Sequence, residues 1–457
     1  MHSDTSEHNL LIDFYEQLPA AVAACGVRVE PVKDDPARFA PGFALPDLDA
    51  DVRGFLAAAV VDWVQLGSHR GHRLTLLDLT GNPGTGTTKT FASLLIVARA
   101  VEYIRRTGER VTIFSPTSAN KGTALRDAVL RAYDAGLATP DQLAVVVLAP
   151  ASCEAKLRAS RLSADPELRA RNPLLIYGGA QPEDVKPLGR EFADRYAAAL
   201  LREHGANLWY SLDLGNYLVA DTARALFEHA VDPTDADGAA PRLHVHAVSS
   251  AFGLLGYHRG RELLEAAGRA SAATRPASLL VQHLGTPDMV LNLRHGDFDR
   301  DRLPRYEFRE DTGLFTQDAD PRFPAVTYDP AEVLDPTFYT RRPATSPAMN
   351  EIIGRFGGDG IVVSLAECVA RYPKLRMLLD GSGAPLPADP RTLREWSLPM
   401  ALTGTLNAID RGLVEAGRDV VVHGSGIYTT ADYRPIDSSA TVPVTTADDV
   451  AAAVLRQ

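Results

Sequence analysis

Cysteine, excess positive charge and long apolar runs are all scarce in this 457-residue chain, and each shortage excludes a class of function. Acidic residues outnumber basic ones, 58 to 47, giving a formal net charge of −11 and a pI near 5.6. Binding along a phosphate backbone needs clustered cations, so nucleic acid is not an expected partner. Cys25, Cys153 and Cys368 are too few and too scattered for a disulfide framework or a zinc site. No stretch approaches the roughly 20 apolar residues that span a bilayer, so no membrane partner is expected. The polar start Met1-His2-Ser3-Asp4 lacks a signal-peptide pattern, which makes a cytoplasmic soluble protein the simple expectation. Neither a Gly-x-Ser-x-Gly elbow nor a His-Glu-x-x-His helix is present, so hydrolase readings have no anchor.

The remaining composition, 45% hydrophobic and 23% charged, is that of a globular chain long enough for two lobes. Periodicity predicts an N-terminal helical arm over 1–70, including an amphipathic helix from Val52 to Leu66. A first α/β lobe is expected over 71–230 and a second over 240–457, joined by the linker-like Asp232-Pro233-Thr234-Asp235-Ala236-Asp237-Gly238. Residues 294–347 carry charge, proline and aromatics without a period, which predicts a surface excursion or an active-site cover. Within it, His295-Gly296-Asp297-Phe298-Asp299-Arg300-Asp301 alternates carboxylates like a calcium loop. It lacks the central glycine and the closing glutamate, and reads as a solvated loop. His244 and His246 share one strand face, but no third metal ligand follows at a recognisable spacing, so no metal is expected.

Function is best sought between Leu74 and Ala128. Leu74–Leu79 reads as a strand, Asn82-Pro83-Gly84-Thr85-Gly86 as a turn, Phe91–Ile104 as an amphipathic helix and Val111–Phe114 as the next strand. Lys89 follows the first turn, and Thr117-Ser118-Ala119-Asn120-Lys121-Gly122 forms a second. About 30 positions separate Lys89 from Asn120, the length of a βαβ crossover that returns both turns to one sheet edge. The string Gly81-Asn82-Pro83-Gly84-Thr85-Gly86-Thr87-Thr88-Lys89-Thr90 has the general look of a P-loop, and a nucleotide hydrolase is one reading. In a P-loop the lysine follows the last glycine directly, whereas Thr87 and Thr88 intervene here.

The other reading rests on resemblance. Asn82 to Lys89 resembles the N-P-T-G-S-F-K-D turn of fold type II pyridoxal-phosphate enzymes with one extra residue, and Thr117 to Gly122 resembles their T-S-G-N-T-G turn. Val145 to Pro150 followed by Glu154-Ala155-Lys156-Leu157, and Ala206 to Leu212 with Asn216-Tyr217, are similar to segments of threonine synthases. The resemblance implies a tryptophan-synthase-β-like architecture of two lobes, each a parallel-rich sheet flanked by helices. It also implies pyridoxal 5′-phosphate as cofactor, an amino-acid substrate with a β or γ leaving group, elimination or replacement chemistry, and a homodimer. By the same resemblance Lys89 carries the Schiff base and moves protons. Asn120 orients the ring, while Thr117, Ser118, Ala119 and Lys121 meet the substrate. The phosphate loop corresponds to Ser249-Ser250-Ala251-Phe252-Gly253 ahead of a helix, where unpaired amides favour anions. His423 or Ser425, in His423-Gly424-Ser425-Gly426, partners the ring nitrogen. Departures from the family pattern at Ala119, Lys121, Ser249 and His423 point to a specialised reaction rather than housekeeping threonine synthesis. A degenerate homologue that uses the same cleft only for binding is the non-enzyme alternative.

Overall fold

A computed structural model describes residues 8–233 and 241–455. Two sheets organise these residues. In spatial order the seven-stranded sheet runs His8–Asn9, Val60–His69, His72–Asp78, Val420–Gly424, Leu243–Ala247, Ala277–His283 and Gly358–Val363. The five-stranded sheet runs Val442–Val444, Leu174–Tyr177, Leu143–Pro150, Arg110–Pro116 and Ala206–Tyr210. Every pairing in the smaller sheet is parallel, and its strand Leu143–Pro150 is buried along its whole length. Such a strand has helices over both faces, which explains why its sequence is continuously apolar.

Alternation along His72–Asp78 sends Leu77 to one core and Leu74 and Leu76 to another. The first core joins Leu77 and Val421 of the larger sheet to Val111 and Val145 of the smaller one through the helix Lys89–Thr107. That helix is buried along nearly all of its length and ends on Gly108 in the left-handed conformation. The second core lies on the other face of the larger sheet, where Val245, Leu279 and Ile361 meet the helix Ser397–Asp410.

Sheet membership departs from the expected division into 71–230 and 240–457. The strand His72–Asp78 sits in the larger sheet beside Val420–Gly424, while Val442–Val444 crosses back to the smaller sheet. Sequential order cannot reveal such exchanges, because parallel strands pair with partners from anywhere in the chain. The expected helix Val52–Leu66 is also corrected. A helix spans Ala50–Leu56, capped by the Asp49 side chain, and Val60–His69 is a strand antiparallel to His72–Asp78. Alternation and β-branched valines prevail there over a helical period. Of the expected linker, residues 234–238 lie outside the described residues. The excursion carries a small antiparallel sheet, Glu307–Arg309, Leu314–Thr316 and Val326–Thr327. No described helix is long and apolar enough to cross a membrane.

Candidate functional site

Parallel strands deliver their following loops to one edge, and here four such loops converge. They follow Asp78, Pro116, Ala247 and Gly424, the ends of strands drawn from both sheets. Together with Thr337–Thr340 of the excursion they enclose a cavity of about 350 Å³. Lys89, Thr117, Ser118, Asn120, Lys121, Ser249, Ser250, Ala251, Phe252, Gly253, His423 and Ser425 all line it. Ala119 does not: it is fully buried in the hydrophobic core.

The turn before Lys89 is built around the buried Asn82. Its carbonyl accepts from the amide of Gly86 at 2.9 Å, and its side-chain oxygen accepts from the amide of Thr87 at 3.0 Å and from the Thr85 hydroxyl. The Thr88 amide donates to the Ser425 carbonyl at 3.0 Å, and Ile427 donates to the Gly86 carbonyl. Gly86 has φ +64°, and a Cβ there would stand 2.6 Å from the Ile427 oxygen, so only glycine fits. Arg158 clamps the outside through the carbonyls of Gly84 and Thr85. These contacts join the lysine turn to the Gly424–Gly426 turn, some 340 residues away in sequence by count and adjacent in space. They also engage the amides a P-loop would need free, so this turn cannot cradle a nucleotide phosphate.

Lys89 opens its helix with its ammonium 5.9 Å from the centre of the Tyr217 ring. Burial pushes its pKa down and Arg224 assists, with Asp221 and Glu395 opposing. A second amine, Lys121, lies 5.3 Å from the centre of the same ring and donates to the Ser211 carbonyl at 3.1 Å. Its pKa is lowered to about 7 by burial and by the neighbouring Lys89 and Lys186. Thr117 has already committed its donors, the amide to Leu148 and the hydroxyl to the Ser118 carbonyl.

Asn120 is held by groups absent from the sequence expectations. Its amide nitrogen donates to Glu395 at 2.6 Å, and its oxygen accepts from the Tyr428 hydroxyl at 2.8 Å. Glu395 is fixed in turn by Lys156, which also bonds both oxygens of Asp335 at 2.7 Å. One amide hydrogen of Asn120 remains available to the cavity.

The other end of the cavity carries a second unexpected group. Arg224 is 3% exposed and reaches Asp221 at 2.6 Å, the Thr88 hydroxyl at 2.7 Å and His423 Nδ1 at 3.3 Å. A Cβ on Gly253 would lie 2.5 Å from its Nη1, so the guanidinium packs directly on the Ser249–Gly253 loop. Ala251 in that loop has φ +51°, a left-handed conformation rare for a residue with a Cβ. Beside it the Ser425 hydroxyl is buried without a hydrogen-bond partner.

A family model described as "Family of unknown function (DUF6002)" matches residues 6–457. The chain belongs to the DUF6002 family. No curated protein matches it. Among solved structures, it is similar to the pyridoxal-phosphate-bound threonine synthase from Brucella melitensis, at 13% identity and a TM-score of 0.52 over 88% of this chain and 76% of that one. Threonine synthase from yeast matches at 12% identity and a TM-score of 0.52, over 94% and 87%. Maize serine racemase is more distant, at 12% identity and a TM-score of 0.46, over 85% and 96%. This DUF6002 chain therefore has the fold type II architecture expected from its motifs.

Sequence carried one unread signal for Arg224. The helix Leu214–Val231 is apolar almost all round, yet places Asp221, Arg224 and Glu228 at i, i+3 and i+7, one buried stripe. Glu395, Asp335 and Tyr428 carried none, because each meets its partner across 179 or more positions.

Proposed function

We propose that this protein is a pyridoxal-phosphate enzyme acting by elimination or replacement on an amino acid with a leaving group at its β or γ carbon. The observation that carries the proposal is a single cavity in which a buried amine of lowered pKa, an anion-fitted loop and an orphan hydroxyl lie together. The residues fit the cofactor. Ser249–Gly253, at the start of the helix Phe252–Ala266 and backed by Arg224, would hold its phosphate. Asn120 would turn its remaining amide hydrogen to the ring oxygen. Ser425 would meet the ring nitrogen, since both nitrogens of His423 face protein groups. When bound, the cofactor supplies an aldehyde that links to an amine and a ring that accepts electrons. Lys89 provides that amine and afterwards takes the substrate α-proton on Nζ, a role for which a lowered pKa is required. A neutral hydroxyl at the ring nitrogen favours loss of a leaving group over transamination. The excursion residues Phe338 and Tyr339 form part of the cavity wall. Ser118 and Lys121, which line the cavity, would receive a substrate carboxylate, with Thr117 shaping the turn.

Borohydride reduction of protein loaded with the cofactor should fix it to the Lys89 peptide, and Lys89→Ala should yield no adduct and lose at least about 10³-fold in activity. A covalent adduct in Lys89→Ala would overturn the assignment. Turnover of O-phosphohomoserine at a metabolic rate would refute a specialised reaction, and activity requiring magnesium and ATP would revive the nucleotide reading.

A further inference from the structure

At the cavity floor the larger sheet carries three buried imidazoles, of which His246 and His423 line the cavity. His244 and His246 share a face of the strand Leu243–Ala247, and His423 faces them from the paired strand, in register with His246. One nitrogen of each lies within 4.8 Å of the others, a spacing that suits a metal centre. Donor and acceptor counting points elsewhere. A guanidinium can only donate, so Arg224, 3.3 Å from His423 Nδ1, requires a lone pair on that atom. The His423 proton then sits on Nε2, which lies 3.0 Å from His244 Nδ1 and makes that atom an acceptor. His244 consequently carries its proton on Nε2, which faces Glu228 Oε1 at 3.4 Å as a charge contact without completing a hydrogen bond. Glu228 is anchored by Arg242 at 2.6 Å and by the Tyr257 hydroxyl at 2.6 Å. A metal on His423 Nε2 would put a proton on Nδ1, facing a guanidinium that cannot accept it.

We propose that Arg224, His423, His244 and Glu228 form a directed chain in which His244 and Glu228 are positioning residues, keeping His423 neutral and the Arg224 guanidinium on the phosphate loop. This inference rests on the cofactor reading for its consequence, but not for its geometry. Burial first, and the neighbouring Arg224 charge, hold the His423 pKa well below the ordinary histidine range, consistent with a neutral ring. The chain sets a fixed side-chain cation against a loop whose single glycine is Gly253.

Long-range ¹⁵N–¹H spectra of the cofactor-free protein should show His423 as a neutral ring protonated on Nε2 from pH 6 to 8. His244→Leu should weaken binding of pyridoxal phosphate by about tenfold, the loss of one charge-assisted contact, and leave binding of pyridoxal unchanged. His244→Gln, which can accept from His423 and donate to Glu228, should stay within about threefold of wild type. His423 protonated on Nδ1 or doubly protonated, equal losses for both aldehydes, no loss in His244→Leu, or a stoichiometric divalent metal in the purified protein would overturn the proposal. If His244→Leu does not fold, the wild-type spectra and His244→Gln decide. Wild-type protein that takes up neither aldehyde would refute the cofactor reading while leaving the tautomer test intact.

Discussion

The two ends of the cavity are built on different principles. At the lysine end, short-range hydrogen bonds around Asn82 shape a turn whose residues are consecutive, so composition and order carry most of the design. At the proposed phosphate end a loop with a single glycine is completed by Arg224, 25 positions before Ser249 by count and brought to the loop only in space. The lesson is that a site wall can be shaped by local backbone bonds or by a charge brought in from another element, and that the two carry different liabilities. A turn fails when its glycine or its asparagine changes; a recruited cation fails when its partners do.

Four substitutions sharpen this contrast. The largest effect is expected from Arg224→Met, which leaves Asp221 buried and unpaired and should cost about 3–5 kcal/mol of stability as well as most cofactor affinity. Arg224→Lys should rescue little, because one ammonium cannot serve Asp221, Thr88 and His423 in their fixed directions. Chemical denaturation with parallel cofactor titration measures both, and wild-type affinity in either variant would remove Arg224 from the phosphate end.

A smaller, pH-dependent effect is expected at the lysine end. Lys121 has a folded-state pKa of about 7, below its unfolded value, so the folded chain binds fewer protons in between and stability rises with pH across that window. Lys121→Met should therefore stabilise the protein at pH 6, by on the order of 1–2 kcal/mol, and the gain should shrink as pH rises toward the ordinary lysine range. Thermal melts at pH 6, 8 and 9.5 test the slope; a gain that grows with pH would show the sign to be wrong. The smallest effect belongs to Ala251→Gly, which relieves a left-handed alanine and should add about 1 kcal/mol. A destabilised glycine variant would mean that the loop draws support from the alanine methyl.

Legibility followed the same divide. Lys89, Asn120 and the strands around them were visible because the motif spans one βαβ unit and its residues are close in sequence. The strand Val60–His69 was misread as helix because a short apolar segment satisfies both periods until a partner strand selects one. Ala119 faces the core because its position on the first turn of the helix Ala119–Asp134 turns it away from the cavity that Asn120 faces. The choice between His423 and Ser425 was beyond sequence, since it turns on which atoms are already occupied: His423 is engaged at both nitrogens and Ser425 has a free hydroxyl.

By itself, then, the sequence determined the fold type, the lysine and asparagine turns, and the loop Ser249–Gly253 that lines the cavity. These depend on local backbone preferences and on alternation, which are written in neighbouring residues. Only the tertiary structure decided which sheet each strand joined, which groups hold Asn120, and that Arg224 with His423, His244 and Glu228 underlies the cavity. Those features are pairings between buried polar groups far apart in the chain, and the pressure to satisfy each buried donor and acceptor acts only once the chain has closed around them.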